Sequence, residues 1–234
     1  MKQTQNSKLG LYIHIPFCKS KCLYCDFYSL PRSEEQMDRY TAALIKHLEE
    51  LAPHASRCTV DTIYFGGGTP SYLGVKRLKS LLGRIKKLYH VKKNAEITLE
   101  ANPESLNEVG MVRALRRAGF NRVSLGVQSA DDGELHAVGR IHTFEQVRKS
   151  VDAIRKGKIK NLSLDLIYGL PGQTMERWQK NSRAFPPVAI PGMHSLFRIG
   201  CCRTSKSWIL KRTTPRQNTI TSSAWPIWRA LMWK

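Results

Sequence analysis

Residues 11–27 read LYIHIPFCKSKCLYCDF, a short apolar run (11–15) followed by Cys18, Cys22 and Cys25 in the spacing C-x3-C-x2-C. An apolar run of that length ending in a loop reads as a buried strand. Three thiols on one tight loop at a strand end can reach a single centre. The number three matters. A structural zinc site closes with four ligands, whereas a 4Fe–4S cluster held by three cysteines leaves one iron open to an external ligand. The plainer alternative is a zinc loop completed by His14, Cys58 or His142. The aromatic residues Tyr12, Phe17, Tyr24 and Phe27 flank the loop and are expected to exclude water from a cluster.

Working outward, helix and strand signals alternate. Ser33 begins a helical pattern with apolar residues at three- and four-residue steps, ended by Pro53. Residues 60–65 (VDTIYF) read as a strand running into Gly66-Gly67-Gly68-Thr69-Pro70, and a basic amphipathic helix is expected over 76–89. Residues 95–99 form a third strand leading to EANPE, followed by a helix over 106–118 that stops at Gly119. Residues 123–127 form a fourth strand ending in Gln128-Ser129; two short helices follow, separated by residues 139–143. Residues 162–167 form a fifth strand, then GLPGQT and a helix from about Met175. Such alternation implies a parallel sheet with helices outside. Five unusual segments then fall on the C-terminal rim of the strands, where parallel α/β folds build their sites. Element order alone does not separate a barrel from a doubly wound sheet.

The rim carries specific chemistry. The GGGTP turn offers backbone N–H groups that can grip a carboxylate or an amine-bearing ligand; neither a phosphate-loop nor a dinucleotide-binding glycine pattern is present. Glu100, Gln128, Arg140 and Asp165 lie at or just beyond successive strand ends. Asp165 stands inside an apolar strand, where a carboxylate needs a partner or ligand to offset its desolvation. Together they can hold a molecule bearing a carboxylate, an amine and ribose hydroxyls, with Arg140 on the anion and Glu100 and Asp165 on the amine or the diol.

Composition narrows the class. The chain has 234 residues and a net charge of +20, and no apolar run approaches the roughly 20 residues that cross a bilayer. The first ten residues are polar, without the apolar core of a signal peptide. Three of the six cysteines crowd one loop, an arrangement that suits a reducing cytoplasm better than a disulfide framework. The charge is uneven: residues 181–234 hold nine Lys or Arg and no acid. General affinity for polyanions at low salt is expected, without a specific nucleic-acid function.

The cysteine run, GGGTPS, EANPE, GVQS and LIYGLPGQT, taken together and in this order over about residues 9–180, resemble radical S-adenosylmethionine (SAM) enzymes. The branch is that of oxygen-independent coproporphyrinogen III oxidase and its heme-chaperone relatives. The resemblance implies an α/β fold, a partial (β/α)6 TIM-like barrel, with Cys18, Cys22 and Cys25 holding a 4Fe–4S cluster. It implies that SAM chelates the open iron and is cleaved by an electron from the cluster. Tyr12, Gly67 and Glu100 match positions that contact this SAM. Tyr24, Gly68, Thr69, Gln128, Arg140 and Asp165 match positions that the oxidase uses for a second SAM. The oxidase carries a further cysteine two residues after the third; here that residue is Phe27. The resemblance therefore favours the chaperone, with heme as cargo, heme-acceptor proteins as partners and a membrane surface nearby. The oxidase of porphyrin biosynthesis stands second, and a zinc-stapled nucleic-acid-binding module third.

The pattern is lost near residue 181. The family has a sixth strand and an HNxxYW motif; no His here is followed by Asn, and residues 181–234 hold four of the five tryptophans without regular period. The chain thus divides into a core, 1–180, and a basic Trp-rich segment, 181–234, that reads as out of frame, leaving the barrel incomplete at its C-terminal side. A basic aromatic arm for anionic lipid or nucleic acid is the other reading.

Overall fold

The computed structural model describes residues 7–31, 33–184 and 196–201, the last of these as backbone alone. The leading strand is longer than its apolar run: β1 covers Ser7–Ile15. Two short strands, β2 (Phe17–Cys18) and β3 (Leu30–Pro31), bracket the cysteine loop. Next come α1 (Glu34–Leu51), β4 (Cys58–Gly67), α2 (Val75–Leu88) and β5 (Val91–Ala101). They are followed by α3 (Val109–Ala118), β6 (Arg122–Gln128), α4 (Asp132–Ala137) and α5 (Phe144–Lys156). The described chain ends with β7 (Asn161–Tyr168), α6 (Met175–Arg183) and β8 (Leu196–Cys201).

The large sheet runs β1-β4-β5-β6-β7-β8, every neighbouring pair parallel. Spatial order therefore follows chain order, as in a barrel wall, and a doubly wound sheet with its reversal of order is excluded. Alternation along the strands sorts two faces. Ile13 and Ile15, Ile63 and Phe65, Ile97 and Leu99, Val123 and Leu125, and Leu162 and Leu164 are buried in one core with Met37, Leu78, Leu82, Val112 and Ile154 of the helices. The opposite face is polar: Tyr12, His14, Tyr64, Glu100, Ser124, Gly126 and Asp165 alternate with those core residues. A small side chain keeps α5 close to α3, since a Cβ on Gly157 would meet Val112 Cγ1.

Three expectations change. The helix over 106–118 starts only at Val109, because residues 103–105 form a 3-10 turn after Asn102, with Pro103 at its first position. The sheet does not stop at five strands: Leu196–Cys201 pairs with β7, placing Arg198 beside Asp165 in register. Residues 181–183 continue α6. The remainder of the segment read as out of frame lies outside the described residues. No described helix is long and apolar enough to cross a membrane.

Candidate cluster and SAM site

The cysteine loop is fastened to the glycine turn by main-chain bonds. Gly68 N donates to Ile15 O and Thr69 N to Phe17 O, both at 2.8 Å. Glycine is required twice over. Gly67 has φ +118°, and a Cβ there would sit 2.7 Å from the His14 ring; one on Gly68 would sit 2.8 Å from Phe17 O and 2.9 Å from Cys18 Sγ. On its far side the loop is held by Leu23 N donating to Val138 O at 3.1 Å, and Cys25 N closes a turn onto Cys22 O. Beneath it Phe17 is fully buried, edge-on to Tyr40, whose hydroxyl donates to His14 O.

The three thiols share one environment. Burial pushes Cys18 and Cys25 above the ordinary thiol value, and the neighbouring sulfurs add to this. For Cys18, the Thr69 hydroxyl and the Arg140 guanidinium pull the other way. Among the described residues no three His, Cys, Asp or Glu gather as the ligands of a single ion do. The candidates for a fourth zinc ligand fare unevenly. Cys58 opens β4 at the opposite pole, 3.1 Å from Ser7 Oγ. His142 is buried with Nε2 on Val127 O. His14 stays by the glycine turn, 3.4 Å from Tyr12 OH.

The other candidate residues line the rim and the polar face. Glu100 accepts from Tyr64 OH and, at 3.2 Å, from Gly67 N, so its carboxylate is tied to the glycine turn. The Tyr12 ring stacks on Tyr64, with centroids 6.0 Å apart. Asp165 has its partner: Ser124 Oγ donates to it at 2.9 Å. Gln128 has φ +69° at an irregularity between β6 and β7, and its amide converges with Arg140 and Asn102 over Gly126, where a Cβ would meet all three within 3.0 Å. Tyr24 packs on Val138, Ile167 and Leu170, and burial drives its phenol pKa well up. The expected aromatic shield does not form as a set, since Phe17 points into the core while Tyr12 and Phe27 stay 43 % and 51 % exposed.

Two buried carboxylates were not singled out by the sequence. Glu134 Oε2 accepts from Ser129 Oγ, Gln173 Nε2 and Asn181 Nδ2 at 2.6–2.8 Å, joining the ends of β6 and β7 to α4 and α6. The Gln of GLPGQT is thus architectural. Glu104 accepts from Tyr72 OH at 3.1 Å and faces His142 Nδ1 at 3.4 Å, an electrostatic contact rather than an aligned hydrogen bond. Burial alone would raise the Glu104 carboxyl, but His142 and Arg140 outweigh it and its pKa lies below the ordinary value. The folded chain therefore binds that proton more weakly than the unfolded one, whose Glu titrates near about 4.3. Glu104→Gln is expected to cost about 1–2 kcal/mol at pH 7. In urea titrations at several pH values, this difference from wild type should shrink as the pH falls below the unfolded value.

The structure is an all-parallel partial barrel with three cysteine thiols, a glycine turn and a polar face gathered at one rim. The chain belongs to the radical SAM superfamily, which residues 12–183 match. It is 38 % identical over 191 residues to the heme chaperone HemW of Lactococcus lactis, covering 82 % of this chain and 48 % of the relative. It is 38 % identical over 168 residues to an oxygen-independent coproporphyrinogen III oxidase of Bradyrhizobium diazoefficiens, covering 71 % and 37 %. Among solved structures it is similar to the coproporphyrinogen III oxidase HemN of Escherichia coli, a radical SAM enzyme, with a TM-score of 0.75 and 28 % identity over 84 % of this chain and 44 % of that one. The chain spans about half the length or less of these relatives.

Proposed function

We propose that this chain is the cluster- and SAM-binding portion of a HemW-type heme chaperone. The observation that carries the choice of branch is Phe27, half exposed beside Cys25, where the oxidase branch has a further cysteine. Its chemistry is divided among the residues described above. Cys18, Cys22 and Cys25 hold three corners of the cluster, and Glu100, backed by Tyr64 and Gly67, takes the SAM amino group beside Tyr12. Gly68, Thr69, Tyr24, Gln128, Arg140 and Asp165 line the space for a second SAM, with Arg140 on its carboxylate. When bound, the cluster supplies the electron that cleaves the SAM sulfonium. Heme is the cargo, and heme-acceptor proteins are the recipients.

The oxidase is the second reading, favoured by the likeness to HemN. One experiment separates the two. The anaerobically reconstituted chain is titrated with heme, followed by the Soret band, and in parallel incubated with SAM, a reductant and a propionate-bearing porphyrinogen. Saturable heme binding without decarboxylation is expected. Release of carbon dioxide from the porphyrinogen would assign the oxidase, and absence of heme binding would remove the chaperone reading for this chain.

A further inference from the structure

Two of the three cysteine sulfurs are approached by donors from outside their own loop. Arg140 Nη1 donates to Cys22 Sγ at 3.4 Å, and Thr69 Oγ1 lies 3.6 Å from Cys18 Sγ. One side chain connects these donors. Asn102 Oδ1 accepts from Arg140 Nη2 at 2.9 Å, while Asn102 Nδ2 donates to Thr69 Oγ1 at 3.0 Å. The direction of each bond is forced. A guanidinium only donates, so the Asn102 oxygen must face Arg140 and its NH2 must face Thr69. Thr69 Oγ1 then accepts the amide hydrogen, and its own O–H is left to point at Cys18.

The main chain of Asn102 has a separate task. Its N–H meets Ser105 Oγ at 3.1 Å and its carbonyl accepts from Ser105 N, which shapes the turn over 103–105. Asn102 and Ser105 also cap this turn reciprocally, but capping does not require the Asn102 amide to reach Thr69 and Arg140 as well. Arg140 is further braced on Gly126 O, so the guanidinium has little freedom to turn away from Cys22. Cys25 differs: its donor is the Phe27 amide, from within the loop itself.

We infer that Asn102 is a positioning residue of the cluster, aiming one charged and one neutral donor at the Cys22 and Cys18 sulfurs and thereby raising the cluster's reduction potential. This rests on the cluster reading above. The physical reason is that the reduced cluster carries one more negative charge than the oxidised one, and N–H···S and O–H···S bonds stabilise that added charge. Taking Asn102 away frees both donors together. Taking away the Thr69 hydroxyl removes only one.

The test compares wild type, Asn102→Ala, Thr69→Val and the double variant after anaerobic reconstitution. Iron and sulfide are counted, and the midpoint potential is read by EPR-monitored redox titration. Both single variants are expected to keep the cluster at a lower potential. At the wild-type midpoint the reduced-to-oxidised ratio should fall about tenfold in Asn102→Ala, equivalent to about 59 mV for one electron, and by less in Thr69→Val. Thr69→Val should add less in the Asn102→Ala background than alone, because the two act through a shared bond. Cluster-bearing variants with the wild-type midpoint would overturn the inference. Should Asn102→Ala not take up the cluster, Asn102→Leu, which keeps the side chain's shape but neither its donor nor its acceptor, decides by the same criterion. A wild-type chain without iron or sulfide would instead remove the cluster reading, and this inference with it.

Discussion

Replacing Cys22 by Ala is expected to take the iron content of the anaerobically reconstituted chain from about four atoms to well under one. A cube held at three corners tolerates an open fourth because three bonds still fix its position. With two it can rotate and be extracted. The substitution also strands the Arg140 guanidinium, whose Nη1 loses its acceptor at 3.4 Å in a site where Nε already lacks a partner. Cys58→Ala is the matched control, since that thiol lies at the start of β4 against Ser7 and should leave iron untouched. Iron, sulfide and zinc analysis of the two variants reads the result. Full iron in Cys22→Ala would show that the cluster is held elsewhere, and zinc in place of iron would turn the loop into a structural staple.

The second large effect belongs to the glycine turn. In Gly68→Ala the added methyl carbon would stand 2.8 Å from Phe17 O, 2.9 Å from Cys18 Sγ and 3.1 Å from Ile15 O. Two of these neighbours are main chain and cannot swing aside, so the turn must back away and lengthen the Gly68–Ile15 and Thr69–Phe17 bonds. Overpacking of this kind costs about 2 kcal/mol, or roughly 4–8 °C in Tm for a chain of this size. It also displaces Cys18, so cluster retention should fall with the stability. Gly83→Ala gives the opposite sign: no atom lies within 4 Å of a Cβ there, and alanine in the middle of α2 should stabilise by about 0.5–1 kcal/mol. A thermal melt of both variants, with iron content beside it, tests the pair. Equal melting points would mean that the turn has slack the distances do not reveal.

The alternation of strand and helix could be read because the buried parts of the long strands alternate apolar residues (Leu11, Ile13 and Ile15; Ile63 and Phe65; Ile97 and Leu99; Val123, Leu125 and Val127; Leu162, Leu164 and Leu166), and the long helices carry an apolar stripe. Residues 60–65 and 123–127 fall within β4 and β6, and residues 76–89 all but coincide with α2. The rim could be read because unusual residues follow strands. Legibility failed where partners are distant in sequence. Nothing local marks Asn102 as the bridge between Thr69, 33 residues before it, and Arg140, 38 after it. The Glu134 junction likewise depends on Asn181, 47 residues on. β8 is not legible in the sequence because its alternation sits inside a stretch whose composition reads as irregular. Phe17 departs from the expected shield for a simpler reason: side chains alternate across a strand, and Phe17 lies on the core face.

Because spatial order follows chain order, the barrel wall can be laid down one strand at a time as the polypeptide leaves the ribosome. The thiols come out first. Their clamp arrives late: the glycine turn follows with β4, the Asn102 bridge with β5, and Arg140 only after β6. At roughly 5–20 residues per second, that interval is on the order of ten seconds. During it the three thiols stand unguarded against oxidants and thiophilic metals. If the proposed cluster is loaded on the nascent chain, its full setting exists only once Arg140 has emerged, so slower translation would lengthen the time in which another metal could occupy the thiols.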